Sequence, residues 1–129
     1  MTSKNIVVLG AGFGGLRAAT LIDKKLKNLK TSDEYHVVLI DKNDYQTYTP
    51  TLYEVATTSK EIANYIDLKK IVTFDIRKII ENTNIDFKRD IVAKLDLVEG
   101  DIHFENGGKL KYDYLVLALG SESNDYGIP

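Results

Sequence analysis

The chain has 129 residues, enough for one domain with a modest core. Hydrophobic residues make up 43% and charged residues 28%, the balance of a soluble globular protein. The formal net charge of −2, with no basic patch interleaved with aromatics, sets aside nucleic acid as a partner. No apolar run approaches the length of a membrane span, and the absence of cysteine excludes zinc-thiolate, iron–sulfur, disulfide and redox-thiol chemistry within these residues.

The first strand is expected over residues 5–10, on the run Ile6-Val7-Val8-Leu9. Its position leaves no room for a leader and points to the cytoplasm. Gly10, Gly12 and Gly15 follow at the spacing G-x-G-x-x-G, and a helix is expected over 13–28. Each glycine has its own physical reason. Gly10 lets the chain turn tightly out of the strand, and Gly12 lets the backbone approach phosphate oxygens. Gly15, with the small Ala19 four residues on, lets the helix lie close on the sheet. The helix then aims free N–H groups and its positive dipole end at an anion. Ala18, Ile22, Leu26 and Leu29 mark its apolar face, with Arg17, Lys24 and Lys27 away from it. This strand–glycine–helix order is the pyrophosphate cradle of dinucleotide-binding folds.

A second strand is expected over 36–41, ending in Asp41. An acidic residue there accepts hydrogen bonds from an adenosine ribose and opposes a 2′-phosphate; the competing reading is a solvated strand end. A loop runs to about Ser59, followed by helical stretches at 60–70 and 74–82, the latter with an Ile76, Ile79, Ile80 stripe. A short strand follows at 85–88. Three antiparallel strands come next, at 91–97, 101–105 and 109–112, with turns at Glu99-Gly100 and Asn106-Gly107-Gly108. The last apolar run, 114–120, reads as a central strand buried on both faces, ending at Gly120-Ser121 where backbone can approach a ligand. His36 and His103 lie in separate strands and read as structural residues rather than a metal pair.

The resulting fold class is α/β: a Rossmann-like domain with a central parallel sheet and a three-stranded antiparallel meander. The meander replaces the crossover helix of a plain NAD-binding domain, although an unrelated hairpin insertion would give the same pattern.

The glycine motif, Asp41, the meander and the closing Ala118-Leu119-Gly120 together resemble the FAD-binding domain of flavoproteins with two dinucleotide-binding domains, where the last strand ends in A-T-G. The segment from Asn43 to Thr57 is similar to F-x-P-L-L-Y-E-V-A-T of type II NADH dehydrogenases, as is the tail from Tyr112 to Pro129. Thr49, Thr51 and Leu119 depart from the family pattern. The absence of cysteine separates the chain from glutathione-reductase-like and coenzyme A-disulfide relatives.

The resemblance implies FAD as cofactor. Gly12, Phe13, Gly14 and Gly15 would face the pyrophosphate, with Gly10 opening the same loop. Asp41 and Lys42 would bind the adenosine ribose, the backbone of Val92 would meet the adenine, and Pro50 would lie near the flavin. Ala118, Leu119 and Gly120 would approach the pyrophosphate and ribityl chain. Tyr45, Tyr48 and Tyr53 either wall the flavin pocket or pack in the core, and Glu54 reads as solvated or structural. No residue is expected as a general acid or base.

The implied activity is NADH:quinone oxidoreduction in the respiratory chain, by an enzyme peripheral on the inner face of the cell membrane. A homodimer is one assembly open to it. With a single glycine motif, residues 1–129 are expected to form only the first FAD segment. The NADH-binding domain and the C-terminal part carrying the quinone and membrane contacts would lie elsewhere, leaving weak FAD binding and little turnover in these residues alone. The alternatives are another FAD-dependent reductase of the ferredoxin-reductase kind, or a non-redox NAD- or FAD-binding module.

Overall fold

The structure, a computed structural model, describes residues 2–47, 57, 73–121 and 127. The strand β1 (Lys4–Leu9) runs into helix α1 (Phe13–Leu29), which returns the chain to β2 (Tyr35–Asp41). The short strands β3 (Tyr45–Thr47) and β4 (Thr73–Asp75) pair antiparallel, and α2 (Ile76–Ile79) leads to β5 (Ile85–Arg89). The meander is β6 (Val92–Asp96), β7 (Asp101–Phe104) and β8 (Lys109–Lys111), and β9 (Tyr114–Leu117) follows. The central sheet has the order β5-β2-β1-β9, all parallel.

Side-chain alternation along β1 and β2 divides the core between two layers. Ile6 and Val8 stand opposite Val37 and Leu39 and pack beneath α1 with Leu16, Ala19 and Leu26. Val7 and Leu9 stand opposite Val38 and Ile40 and pack against Ile102 and Phe104 of the meander. Because both faces are covered, β1 carries a continuous apolar run instead of an alternating one. Val7, Val8 and Leu9 are fully buried, each contributing about 1.5–3 kcal/mol of transfer free energy. The meander thus does on one face what α1 does on the other.

Three local expectations are corrected. In α1 the buried positions are Gly15, Leu16, Ala19, Asp23 and Leu26, whereas Leu29 is exposed and Ala18 and Ile22 are half-buried. The apolar face therefore lies one position away from the Ala18-Ile22-Leu29 line. The stretch expected as a helix over 74–82 begins as strand β4, because Phe74 and Asp75 pair with Gln46 and Tyr45. Helix α2 is only 4 residues long, and the Asp75 carboxylate caps it by accepting from the Arg77 N–H. Ile76 and Ile80 are buried, while Ile79 is 40% exposed.

The closing strand is the third correction. β9 pairs only with β1 and ends at Leu117; Tyr114 is 50% and Leu117 58% exposed. Its continuous apolar sequence stands at a sheet edge among the described residues. The expected helix over 60–70 lies outside the described residues. No described helix is long and apolar enough to cross a membrane.

Candidate functional site

The site forms at the carboxyl ends of β1, β2 and β9, where parallel strands of this kind of sheet bind ligands. Gly10 leaves β1 with φ +99°, and its N–H donates to Ile40 O at 2.7 Å. A Cβ at Gly10 would sit 2.1 Å from the Ala118 carbonyl oxygen, so this position admits no side chain. A Cβ at Gly15 would lie 1.6 Å from Gly10 O, and Ala19 below it is fully buried. These two glycines seat the helix on the strand.

Gly12 and Gly14 differ from them: a Cβ at either would meet nothing within 4 Å. Gly12 is the N-cap of α1, in extended backbone, with no side-chain cap and no acidic residue in the first turn. A 17-residue helix that opens on a glycine N-cap, with no acidic residue in its first turn, suits an anion at its N-terminus.

Asp41, at the end of β2, faces this loop. Its Oδ2 accepts from the Ala11 N–H at 2.7 Å and its Oδ1 from the Asn43 N–H at 2.8 Å. A carboxylate has about four lone-pair directions, so both oxygens keep capacity for a ligand hydroxyl. The backbone around Asp41 is fixed as well. The Asp90 N–H donates to Asp41 O at 3.0 Å, and Arg89 Nε donates to Lys42 O at 3.2 Å.

Two hollows meet at Asp41, Lys42 and Leu119. One, of about 290 Å³, lies toward the meander and is lined by Gly10, Ile40, Asp90, Ile91 and Val92 besides the shared residues. The other, of about 310 Å³, lies at the glycine loop and is lined by Gly12 and Phe13, by Ala118 and Gly120 after β9, and by Asn43, Tyr45, Gln46 and Thr47 after β2. Together they form an elongated cleft across the ends of the strands.

The structure therefore brings Gly10, Gly12, Phe13, Asp41, Lys42, Val92, Ala118, Leu119 and Gly120 to one cleft. Gly14 is exposed beside it. Gly15 is buried beneath the loop and lines neither hollow. Tyr45 lines the second hollow, while Pro50, Tyr48, Tyr53 and Glu54 lie outside the described residues. His36 lies on β2 at the far end of the sheet from the cleft, paired with Asp86.

Asp90 and Ile91 are lining residues that the sequence motifs do not mark, and Asn43 and Gln46 line the cleft from the family-like segment without a role expected of them. An Asp directly before the first meander strand is the signal that stood nearest to two of them.

An anion suits the helix N-terminus, and sugar hydroxyls suit the Asp41 carboxylate. FAD meets these demands. The open side of Gly12 and Gly14 leaves the space that its pyrophosphate needs.

The sequence profile described as pyridine nucleotide-disulphide oxidoreductase matches residues 4–129. A type II NADH:quinone oxidoreductase of Staphylococcus haemolyticus is 34% identical over 125 residues, covering 97% of this chain and 28% of the relative. The chain thus spans little more than a quarter of that relative's length. Among solved structures, NDH2 of Plasmodium falciparum in complex with NADH superposes with a TM-score of 0.73 at 25% identity, over 98% of this chain and 24% of the other. The NADH:rubredoxin oxidoreductase of Clostridium acetobutylicum superposes with a TM-score of 0.72 at 25% identity, over 99% of this chain and 30% of the other.

Proposed function

The chain belongs to the pyridine nucleotide-disulphide oxidoreductase family, and from that premise we propose that it is the FAD-binding part of an NADH:quinone oxidoreductase. The observation that carries the reading is the two-part cleft meeting at Asp41. One end is an open glycine loop at a helix N-terminus, and the other runs into a meander.

In this reading the N–H groups around Gly12, Phe13 and Gly14 hold the pyrophosphate, with Ala118, Leu119 and Gly120 closing over it toward the ribityl chain. Gly10 and Gly15 shape the loop through backbone packing. Asp41 accepts from the adenosine ribose while keeping its hold on the loop, with Lys42 beside it. The backbone at Val92 meets the adenine, and Pro50 is assigned to the flavin end. The chemistry supplied by bound FAD is hydride acceptance from NADH and two-electron transfer to a quinone. The residues of this chain bind and orient the cofactor, and none serves as an acid or base.

Residues 1–129 are, in the same reading, the first FAD segment of a longer enzyme, with NADH binding, quinone contacts and attachment at the inner membrane face in its other parts. The support is the share of the relatives that the chain spans. The test is a titration of the chain with FAD and with NADH, followed by visible absorbance and calorimetry. Flavin binding in preference to NADH is expected. Tight NADH binding with no affinity for FAD would overturn the reading in favour of a nicotinamide-binding module. The similarity to a rubredoxin oxidoreductase keeps a protein electron acceptor as the second reading, separated by assaying the longer enzyme with quinone and with rubredoxin.

A further inference from the structure

We propose that Asp90 is a positioning residue that gives the meander end of the cleft its preference for adenine, acting through the backbone of Ile91 and Val92; the inference rests on the dinucleotide reading above. Asp90 stands where the chain leaves the parallel sheet for the meander. Its N–H donates to Asp41 O at 3.0 Å, which ties it to the end of β2. Its Oδ1 accepts from the Ile91 N–H at 2.9 Å, and its Oδ2 accepts from Asn106 Nδ2 at 3.0 Å. Lys88 Nζ lies 3.4 Å from the same Oδ2, and the Asp90 side chain is only 9% exposed.

The partners are themselves held. Asn106 Oδ1 accepts from the Gly108 N–H at 2.8 Å, so the amide is oriented by its own turn. Lys88 Nζ lies 3.9 Å from the centroid of the buried Phe104 ring. Ile91 is consequently fixed from both sides: its N–H by Asp90, and its carbonyl by the Glu105 N–H at 2.9 Å. Immediately after it, the β6–β7 register shifts between Val92 and Lys94. The Glu105 N–H to Ile91 carbonyl bond makes Val92–Phe104 a non-hydrogen-bonded pair of the antiparallel ladder, so the Val92 N–H and carbonyl face away from β7, at a residue that lines the hollow with Asp90 and Ile91.

The chemistry follows from the edges of the bases. Adenine presents a 6-amino donor beside the N1 acceptor, the complement of a backbone carbonyl and N–H. Hypoxanthine reverses both. A backbone reader discriminates between them only if it is held in place, because rejection depends on leaving the wrong base's polar groups unpaired. A loosened turn shifts to suit either base. Asp90, clamped by Asn106 and Lys88, supplies that rigidity.

The test compares calorimetric affinities for ADP and inosine diphosphate in the wild-type chain, Asp90→Ala, Asn106→Ala and the double swap Asp90→Asn/Asn106→Asp. The wild type is expected to favour ADP by about tenfold or more. Asp90→Ala should weaken ADP by about tenfold and leave inosine diphosphate little changed, collapsing the ratio toward one. The swap keeps the hydrogen bonds to residue 106 and to the Ile91 N–H but turns an amide donor toward Lys88 Nζ, so it should restore the ratio in part, above that of Asp90→Ala.

If Asp90→Ala does not give a cooperative melt, the exposed Asn106→Ala carries the same comparison. Equal loss of both nucleotides in a folded variant, an unchanged ratio, or a wild type that binds both equally would overturn the positioning role while leaving nucleotide binding intact. A wild type that binds neither ADP nor FAD would overturn the dinucleotide reading and this one together.

Discussion

The Oδ2 atom of Asp41 accepts a 2.7 Å hydrogen bond from the backbone N–H of Ala11, joining the end of β2 to the loop that leaves β1. The same carboxylate holds Asn43 through its other oxygen. Asp41 therefore orders the glycine loop, in addition to the ribose contact proposed for it. Asp41→Ala should weaken ADP binding by roughly ten- to a hundredfold, the range for a lost charge-assisted hydrogen bond. Part of the loss should persist with 2′,3′-dideoxy-ADP, measured by calorimetry, because the loop loosens whether or not ribose hydroxyls are present. A variant that binds the dideoxy nucleotide as tightly as the wild type would confine Asp41 to the ribose.

The glycines divide into two kinds, and substitution should separate them. Gly12→Val adds atoms where nothing lies within 4 Å, in extended backbone, so the fold should lose no more than about 1 kcal/mol. FAD titration of the same variant should show binding abolished, because the added methyls fill the approach to the loop. Gly15→Val places its Cβ 1.6 Å from Gly10 O and should cost more than about 4 kcal/mol, seen as loss of a cooperative thermal transition.

Asp23 is a buried carboxylate that ties α1 to the entry of β5. It pairs with Lys27 Nζ at 2.7 Å and accepts from the Asn84 N–H at 3.2 Å. Lys27 Nζ in turn donates to Asn82 O at 3.4 Å. Asp23→Ala should destabilise by about 1–3 kcal/mol in a urea melt, since it leaves the Asn84 N–H without its acceptor. Nucleotide affinity in the folded variant should not change, because Asp23 lies away from the cleft.

The meander has a pH window set by two groups. The N–H of Glu99, reinforced by that of Val98 and by nearby Lys94 and His103, holds Asp96 below the ordinary aspartate value of 3.8 against a smaller opposing desolvation. A depressed carboxylate stabilises the fold fully above its unfolded value and loses that contribution as pH falls through the folded one. The Asp101 carboxylate, 2.6 Å from Lys109 Nζ, raises the lysine above its ordinary 10.5. That contribution is complete below 10.5 and is lost as pH rises through the raised value. Asp96→Asn should flatten the acid limb of stability against pH, and Lys109→Met the alkaline limb, both followed by thermal melts.

The glycine motif was legible because its constraints are local. Gly10 must turn, Gly15 must let the helix close on the strand, and spacing alone records both. Asp41 was legible as the end of a strand. Its grip on Ala11 was not, because residues 30 positions apart meet only when β2 lies beside β1. The meander could be read from the turn at Asn106-Gly107-Gly108. Its role as the second covering layer followed from the alternation of Val7 and Leu9 with Ile6 and Val8, which a continuous apolar run conceals. The stretch 74–82 misled because Ile76, Ile79 and Ile80 suit a helix, while pairing with β3 takes the first residues into a strand.

By itself, the sequence determined the βαβ start, the meander and the geometry of the glycine loop, since turn geometry and periodicity are properties of near neighbours. Tertiary structure decided which glycines face open space, and that, among the described residues, the apolar run at Tyr114–Leu117 pairs on one side with β1 and is open on the other. It also decided that Asp90 and Asn106 clamp the meander end of the cleft. Each of these depends on which strand lies beside which. That is settled by burial of both sheet faces at once and leaves no mark at fixed spacing along the sequence.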